Sequence, residues 1–482
     1  MTGSTSRKWL GLALLLTVQF MVVLDIAIVN VALPSIQKDL NFTQENLQWV
    51  VSAYALFFGG FLLLGGRVAD LVGRRKVFMA GLIVFAAASL FSGLAWSEAS
   101  LIVARSAQGL GAAMVTPAAL SILMTTFAEG KDRNMALGAW GGVGAFGAVA
   151  GVLAGGVLTE YLDWSWIFFV NVPVALVAFG LAPVLLNDSR DEHAKSFDLP
   201  GAVLVTGGLV TLVYGITQAN NYGWGSVTTW AILAAAGVVL AVFLFWESRQ
   251  AEPLVPFSIF KLRTLVGANV AGLILGTASF SVFLMLTLYM QNVLHYSAVQ
   301  TGAAYLAIAA TAILWSAIAA QLVTRIGVKP VLTTGMIFLT AGLLWFTQVS
   351  VGGNYVGDLL PGFLLMSVGL GFSFVPISIA ALAGVNADDA GLASGLFNTS
   401  QQIGGALGIA VLSAVATSVT GNKVDDGASL AAASVDGFQA AFIGAAALAA
   451  VGILVTLTII RRSDLVEPAE EVVEAAPALE AA

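Results

Sequence analysis

The chain has 482 residues, of which 59% are hydrophobic and 10% charged, with a mean hydropathy of +0.93. A soluble domain could not cover that much apolar surface, so the chain reads as an integral membrane protein. Cysteine is absent, which excludes a disulfide framework, a thiolate metal site and a cysteine nucleophile, and the net charge of −7 is partly the work of an acidic tail over 463–482 that reads as disordered.

From the N-terminus, Arg7 and Lys8 precede a long apolar run that could imitate a signal peptide. The run is too long for that and contains Asp25, so it reads as a first spanning helix that is retained. A span needs about 20 apolar residues. Fourteen stretches qualify: 10–32, 47–66, 77–96, 101–127, 134–158, 164–186, 199–219, 227–247, 264–290, 299–324, 330–350, 357–383, 390–418 and 437–460. With the N-terminus inside, 17 of the 20 Lys and Arg residues fall on cytoplasmic segments. Lys38 and Lys423 fall outside, and Arg105 lies within a helix. The positive-inside rule thus favours fourteen spans and places both termini in the cytoplasm of a multi-pass protein of the cytoplasmic membrane. The 52 glycines suit close helix packing in lipid.

Asp25 sits about 10 Å, seven residues, short of the expected outer end of helix 1, too deep for a simple cap. A carboxylate at that depth is a functional candidate by default, with a structural ion pair as the alternative. Four cations and one carboxylate, Arg67, Asp70, Arg74, Arg75 and Lys76, crowd the turn over 65–77, which must lie at a membrane surface. In helix 4, Arg105 is the lone intramembrane cation, at a depth similar to Asp25, so the two are expected to meet directly or through Gln108. The alternative is an arginine that snorkels to the surface. Helix 5 is lined by Gly142, Gly151, Gly155 and Gly156, either a functional surface or ordinary small-residue packing. The loop after helix 10, Gln321 to Pro330, repeats the charged turn if Gly327 matches Gly73, 254 residues apart. The expected organisation is therefore a six-helix bundle over 8–190, a two-helix insertion with flanking loops over 191–262 and a second six-helix bundle over 263–462.

The turn with Asp70, Gly73, Arg74, Arg75 and Lys76 resembles the signature loop between helices 2 and 3 of the major facilitator superfamily. Helix 1, from Leu24-Asp25 to Asn30-Val31-Ala32-Leu33-Pro34, is similar to that of its fourteen-helix drug:proton antiporter family, with Ala27 in place of the usual threonine. The stretches around Arg105, around Trp164 to Pro173 and from Asp388 to Gly408 match the same family. Two departures stand out: Val152 replaces the proline of the antiporter motif in helix 5, and Ser165 replaces an arginine before helix 6. A proline would kink helix 5, so a straighter helix is expected.

The resemblance implies an all-α integral membrane protein of the major facilitator fold, 6+2+6 helices in two pseudo-symmetric bundles. It implies proton-driven efflux of hydrophobic or amphipathic small molecules such as drugs, with Asp25 binding the proton and Arg105 and Gln108 modulating its affinity. Asp70, Gly73, Arg74 and Arg133 would form a conformational switch, Asp70 docking on the N-terminus of helix 13. Cavity-wall candidates are Tyr54, Gln108, Thr116, Met285, Tyr289, Tyr305, Asn398 and Gln402. The expected partners are a small-molecule substrate, protons and the lipid bilayer, with no nucleic acid, no metal, no cofactor beyond the proton gradient, and a monomeric state. No acid falls in the middle of helix 10 or 13, which favours neutral, zwitterionic or monocationic substrates over dications. A proton-coupled symporter for uptake of a small organic solute shares the fold and is the alternative. An enzyme would need a cluster of nucleophile, base or metal ligands at membrane depth, and the sequence offers none.

Overall fold

The computed structural model describes residues 2–127, 131–190, 198–250, 253–385 and 390–460. Among them, fourteen helices are long and apolar enough to cross a membrane. They are α1 (Arg7–Asp39), α2 (Glu45–Val72), α3 (Arg74–Gly93), α4 (Glu98–Thr126), α5 (Met135–Tyr161), α6 (Trp166–Leu185), α7 (Leu199–Tyr222), α8 (Val227–Glu247), α9 (Arg263–Val293), α10 (Ala298–Ile326), α11 (Val328–Gln348), α12 (Tyr355–Leu382), α13 (Gly391–Asp425) and α14 (Leu430–Thr458).

Local chemistry sets several ends. Ser97 before α4 and Ser297 before α10 each form a reciprocal capping box, with Ser100 and Gln300 respectively. The charged turn between α2 and α3 pivots on Gly73 at φ 122°, and the joint between α10 and α11 pivots on Gly327 at φ 87°. These positive φ values suit glycine, and each glycine N–H returns to the carbonyl four residues back. The two ends are thus built alike, as the alignment of Gly73 with Gly327 anticipates.

The first six and last six helices repeat one packing plan. α1 packs on α5, α2 on α4, and α3 on α4 and α6; with every number raised by eight, α9 packs on α13, α10 on α12, and α11 on α12 and α14. Two symmetry-related seams join the halves, α2 on α13 and α5 on α10. The inserted α7 packs on α8 and lies along the α2–α13 seam, where Gln48 Nε2 donates to Thr217 Oγ1 at 3.0 Å and Asn220 Nδ2 donates to the Ala414 carbonyl at 3.0 Å.

The α5–α10 seam is closed at the end away from the charged turn. Away from the charged turn, a side chain on Gly156 would meet Ala298 and Val299, and one on Gly302 would meet the Val152 backbone. Gln291 Nε2 of α9 donates to the Val31 carbonyl of α1 at 2.8 Å, and Glu160 accepts from the Val299 backbone N–H at 2.8 Å. Toward the charged turn, Gly138, Gly141, Gly142 and Gly144 face open space. α5 runs without a break past Val152.

Helix ends differ from the sequence reading. α1 continues through Pro34 to Asp39, and Lys38 lies in its last turn; Lys423 likewise lies in the last turn of α13, paired with Asp436 at 3.4 Å. Neither lysine is in a loop, because polar residues extend a helix beyond its apolar stretch at no cost in backbone hydrogen bonds. Asp25 is consequently about 21 Å, fourteen residues, from the end of α1 rather than seven. Asp388, Asp389, Lys195, Arg461, Arg462 and the acidic tail lie outside the described residues.

Candidate functional site

Asp25 projects from the middle of α1 into the interior of the first bundle and is fully buried. Arg105, one turn or two into α4, meets it directly: Nη1 lies 2.8 Å from Asp25 Oδ2. The other carboxylate oxygen, Oδ1, accepts from Gln108 Nε2 and from Asn171 Nδ2, both at 2.7 Å. Gln108 closes the ring, its Oε1 accepting from Arg105 Nη1 at 2.7 Å and its Nε2 also reaching Ser89 Oγ at 2.7 Å. Arg105 Nε donates to the Val50 carbonyl at 2.9 Å, and the guanidinium lies 4.4 Å from the Tyr54 ring centre and 5.6 Å from that of Phe168.

Every part of this arrangement counters a cost. A lone ion in a low-dielectric interior is prohibitively unfavourable, so a buried charge persists only when paired and hydrogen-bonded. Asp25 has three donors, and Arg105 has two acceptors besides the carboxylate and two aromatic faces, which favour a cation. Removing one partner of such a pair costs about 3–5 kcal/mol because the other is stranded. Close approach of α2 and α4 brings Tyr54 under the arginine; Gly109 faces the Tyr54 carbonyl with no room for a side chain. Protonating Asp25 would cancel the ion pair and leave Arg105 held by Gln108 and Val50 alone. The site therefore ties the charge on Asp25 to the packing of α1, α2, α4 and α6.

Asn171 is the functional side chain that sequence reasoning missed. α6 is interrupted at Val170, between the short turn Trp166–Phe169 and the helix Asn171–Leu185. Pro173 lacks an N–H and so removes one helical hydrogen bond here, while Val170 keeps helical dihedrals. Asn171 is 1% exposed and reaches Asp25. An asparagine two residues before a proline reads as a helix-start residue, and only its burial distinguishes it.

The eight substrate candidates fall in three places. Tyr54 and Gln108 belong to the Asp25 cluster, and Thr116, two turns along α4 from Gln108, has a buried hydroxyl without a partner. On α13, Asn398 is exposed and bonds back to the Ser394 carbonyl at 2.9 Å, while Gln402 packs on Gly59 of α2 with its Nε2 unpartnered. Met285, Tyr289 and Tyr305 are buried in the second bundle. Tyr289 donates to the Ser350 carbonyl at 2.7 Å, and the Tyr305 hydroxyl is shared between Thr287 at 2.9 Å and the Phe283 carbonyl at 2.8 Å.

The charged turn is anchored within its own bundle. Arg74 pairs with Asp70 at 2.9 Å, and its backbone N–H donates to the Ser189 carbonyl at 2.9 Å. Arg75 donates to the Pro183 and Leu186 carbonyls, and Lys76 pairs with Asp188 at 3.9 Å. Gly73 lies against the Asp188 carboxylate. Arg133 donates to the Phe127 and Met124 carbonyls at 2.9 and 3.2 Å, tying the start of α5 to the end of α4. Residues 386–389, just before α13, where Asp70 was expected to dock, lie outside the described residues.

Known proteins resemble this chain along most of its length. The family described as Major Facilitator Superfamily matches residues 15–409. The puromycin resistance protein pur8 of Streptomyces alboniger is 40% identical over 461 residues, covering 95% of this chain and 91% of that protein. The cephamycin export protein CmcT of Amycolatopsis lactamdurans is 40% identical over 423 residues, 87% of each. Among solved structures, a bacterial homolog of the human lysosomal transporter Spinster, in an inward-facing and unoccupied conformation, superposes with a TM-score of 0.67 at 15% identity, covering 96% of this chain and 99% of that one.

Proposed function

The chain belongs to the major facilitator superfamily, and on that premise we propose that it exports hydrophobic or amphipathic small molecules, antibiotics among them, in exchange for protons. It is a multi-pass membrane transporter and not an enzyme. The observation that carries the proton-coupled reading is the Asp25 cluster: a carboxylate at mid-membrane depth, held by Arg105, Gln108 and Asn171, is the one described place where a single proton would rearrange four helices at once. The names of the relatives, a puromycin resistance protein and a cephamycin exporter, support export of antibiotics.

The proposed cycle uses two states. One state opens on the face of the charged turn, which the excess of Lys and Arg assigns to the cytoplasm. Both termini are then cytoplasmic and the membrane is the cytoplasmic one. Substrate enters from this face, past the polar side chains of Thr116, Asn398 and Gln402. Protonation of Asp25 from the outside frees Arg105, and the differing stability of the two states with and without the proton drives the exchange. Asp70, Gly73, Arg74 and Arg133 form the switch: when the cytoplasmic side closes, Asp70 moves from Arg74 toward the positive start of α13.

Drug accumulation tests this directly. Cells expressing the protein should hold less puromycin than cells without it, and a protonophore should abolish the difference. Equal accumulation across a panel of hydrophobic antibiotics, or a difference that survives the protonophore, would remove the proposal.

A further inference from the structure

At the charged-turn end of the insert, α7 starts after Asp198 and α8 ends on Glu247. Both carboxyl residues are buried, 5% and 2% exposed. Asp198 caps α7 by accepting from the Gly201 N–H at 2.9 Å and also accepts from Trp246 Nε1 at 2.9 and 3.2 Å. Glu247 Oε1 accepts from the backbone N–H of Val255, at 2.6 Å, in the connection that leads to α9. Its Oε2 is buried with no donor of its own. That oxygen lies beside Asp198: both Oε2 and Asp198 Oδ2 crowd the same side of Gly201. Two ionised carboxylates would repel at this range, and burial would amplify the repulsion.

We propose that Asp198 and Glu247 hold one proton between them, Glu247 Oε2–H donating to Asp198 Oδ2, as a second proton site separate from Asp25. The donors settle which residue carries it. Asp198 already accepts from two N–H groups, whereas Glu247 accepts from one backbone N–H at Oε1 and its Oε2 has no donor. The shared proton clasps three pieces of chain: the start of α7, the end of α8 and the connection to the second bundle. The clasp sits on α2 through the contact of Ala202 and Leu254 with Leu64, edged by Phe61, Val68 and Val255. Deprotonation sets two negative charges against each other and loosens all three at once.

The charged groups on the surrounding elements are Arg67 and Asp70 on α2, Arg249 after α8, whose guanidinium lies 4.6 Å over the Phe245 ring, and Lys261 before α9; α7 carries none. Residues 191–197 and 251–252 adjoin the pair in sequence and lie outside the described residues.

A proton bound in the folded state and lost on unfolding stabilises at low pH, and the benefit disappears as the pH rises through the pair's titration. The test follows the thermal midpoint of the purified full-length protein in nanodiscs from about pH 6, where exposed carboxyls are ionised, to about pH 9. The wild-type midpoint should fall by several degrees across this range. Glu247→Gln should hold it near the low-pH value, because the amide donates to Asp198 without a titratable proton, and Asp198→Asn should do the same from the other side. Asp25→Asn should keep the fall. Parallel profiles for wild type and Glu247→Gln would overturn the proposal. Infrared spectra of the Asp25→Asn protein provide the second readout, independent of whether the other variants fold. A protonated-carboxyl band at about pH 6 that vanishes at higher pH supports the shared proton, and its absence at about pH 6 excludes it.

Discussion

Asn171 Nδ2 donates to Asp25 Oδ1 over 2.7 Å, tying the broken start of α6 to the middle of α1. The same oxygen accepts from Gln108, so two neutral amides hold the carboxylate in place while Arg105 neutralises it from the other side. Charge balance and orientation are thereby separate duties, and substitutions can address them one at a time.

Asp25→Asn keeps the shape and removes the charge. Export by proteoliposomes carrying a pH gradient should drop to background, with the protein still eluting as a folded monodisperse species. Retained gradient-driven export would take Asp25 out of the mechanism.

Asn171→Leu removes one donor from the ionised carboxylate, and a hydrogen bond to a charged group contributes about 1.5–3 kcal/mol. Export driven by a pH gradient should fall by about tenfold or more, with the protein still folded. Unchanged export would make Asn171 a packing residue only.

Glu160 closes the far end of the α5–α10 seam by accepting from the first turn of α10. A carboxylate at a helix N-terminus contributes about 0.3–1 kcal/mol. Glu160→Gln should therefore shift the balance toward the state open on that face by up to about fivefold. Spin labels at the far ends of α5 and α10 read this as growth of the longer-distance population; an unchanged distribution counts against the latch.

Asp70→Asn should favour the state open on the charged-turn face and slow turnover, with little change in substrate affinity. The carboxylate is needed to close the charged-turn face, where a helix terminus contributes up to about 2 kcal/mol, roughly a thirtyfold bias. Distances between labels on the charged-turn ends of α2 and α13 test it. Coincident distributions with transport lost would assign the turn another role.

Reporter fusions after residues 190 and 262 should both read cytoplasmic. Opposite readings would mean that α7 and α8 do not both cross the membrane.

The fourteen spans were legible because hydropathy over about 20 residues is a coarse property that tolerates errors at either end. The ends were not: nothing in the composition of Pro34 to Asp39 distinguishes a helix that continues from one that stops, and α1 continues. Asp25, Arg105 and Gln108 stood out as rare polar groups at membrane depth, and their separation along two antiparallel helices was enough to bring them together. Asn171 did not stand out, because only its burial separates it from an ordinary asparagine at a helix start. The substrate candidates show the same limit. Tyr289 and Tyr305 have hydroxyls engaged with Ser350, Thr287 and Phe283 inside the second bundle, and aromatic residues in apolar helices carry no mark that separates a cavity wall from a core. The anchoring of the charged turn on Pro183 to Ser189 involves backbone carbonyls, which no side-chain pattern encodes.

Helix α7 holds both sides of the α2–α13 seam, α2 through Thr217 and Gln48, and α13 through Asn220 and the Ala414 carbonyl. A rocking motion that parts α2 from α13 must break one of these bonds or stretch α7 between them. The insert therefore acts as a splint along the α2–α13 seam, while the α5–α10 seam is held only by the two bundles themselves.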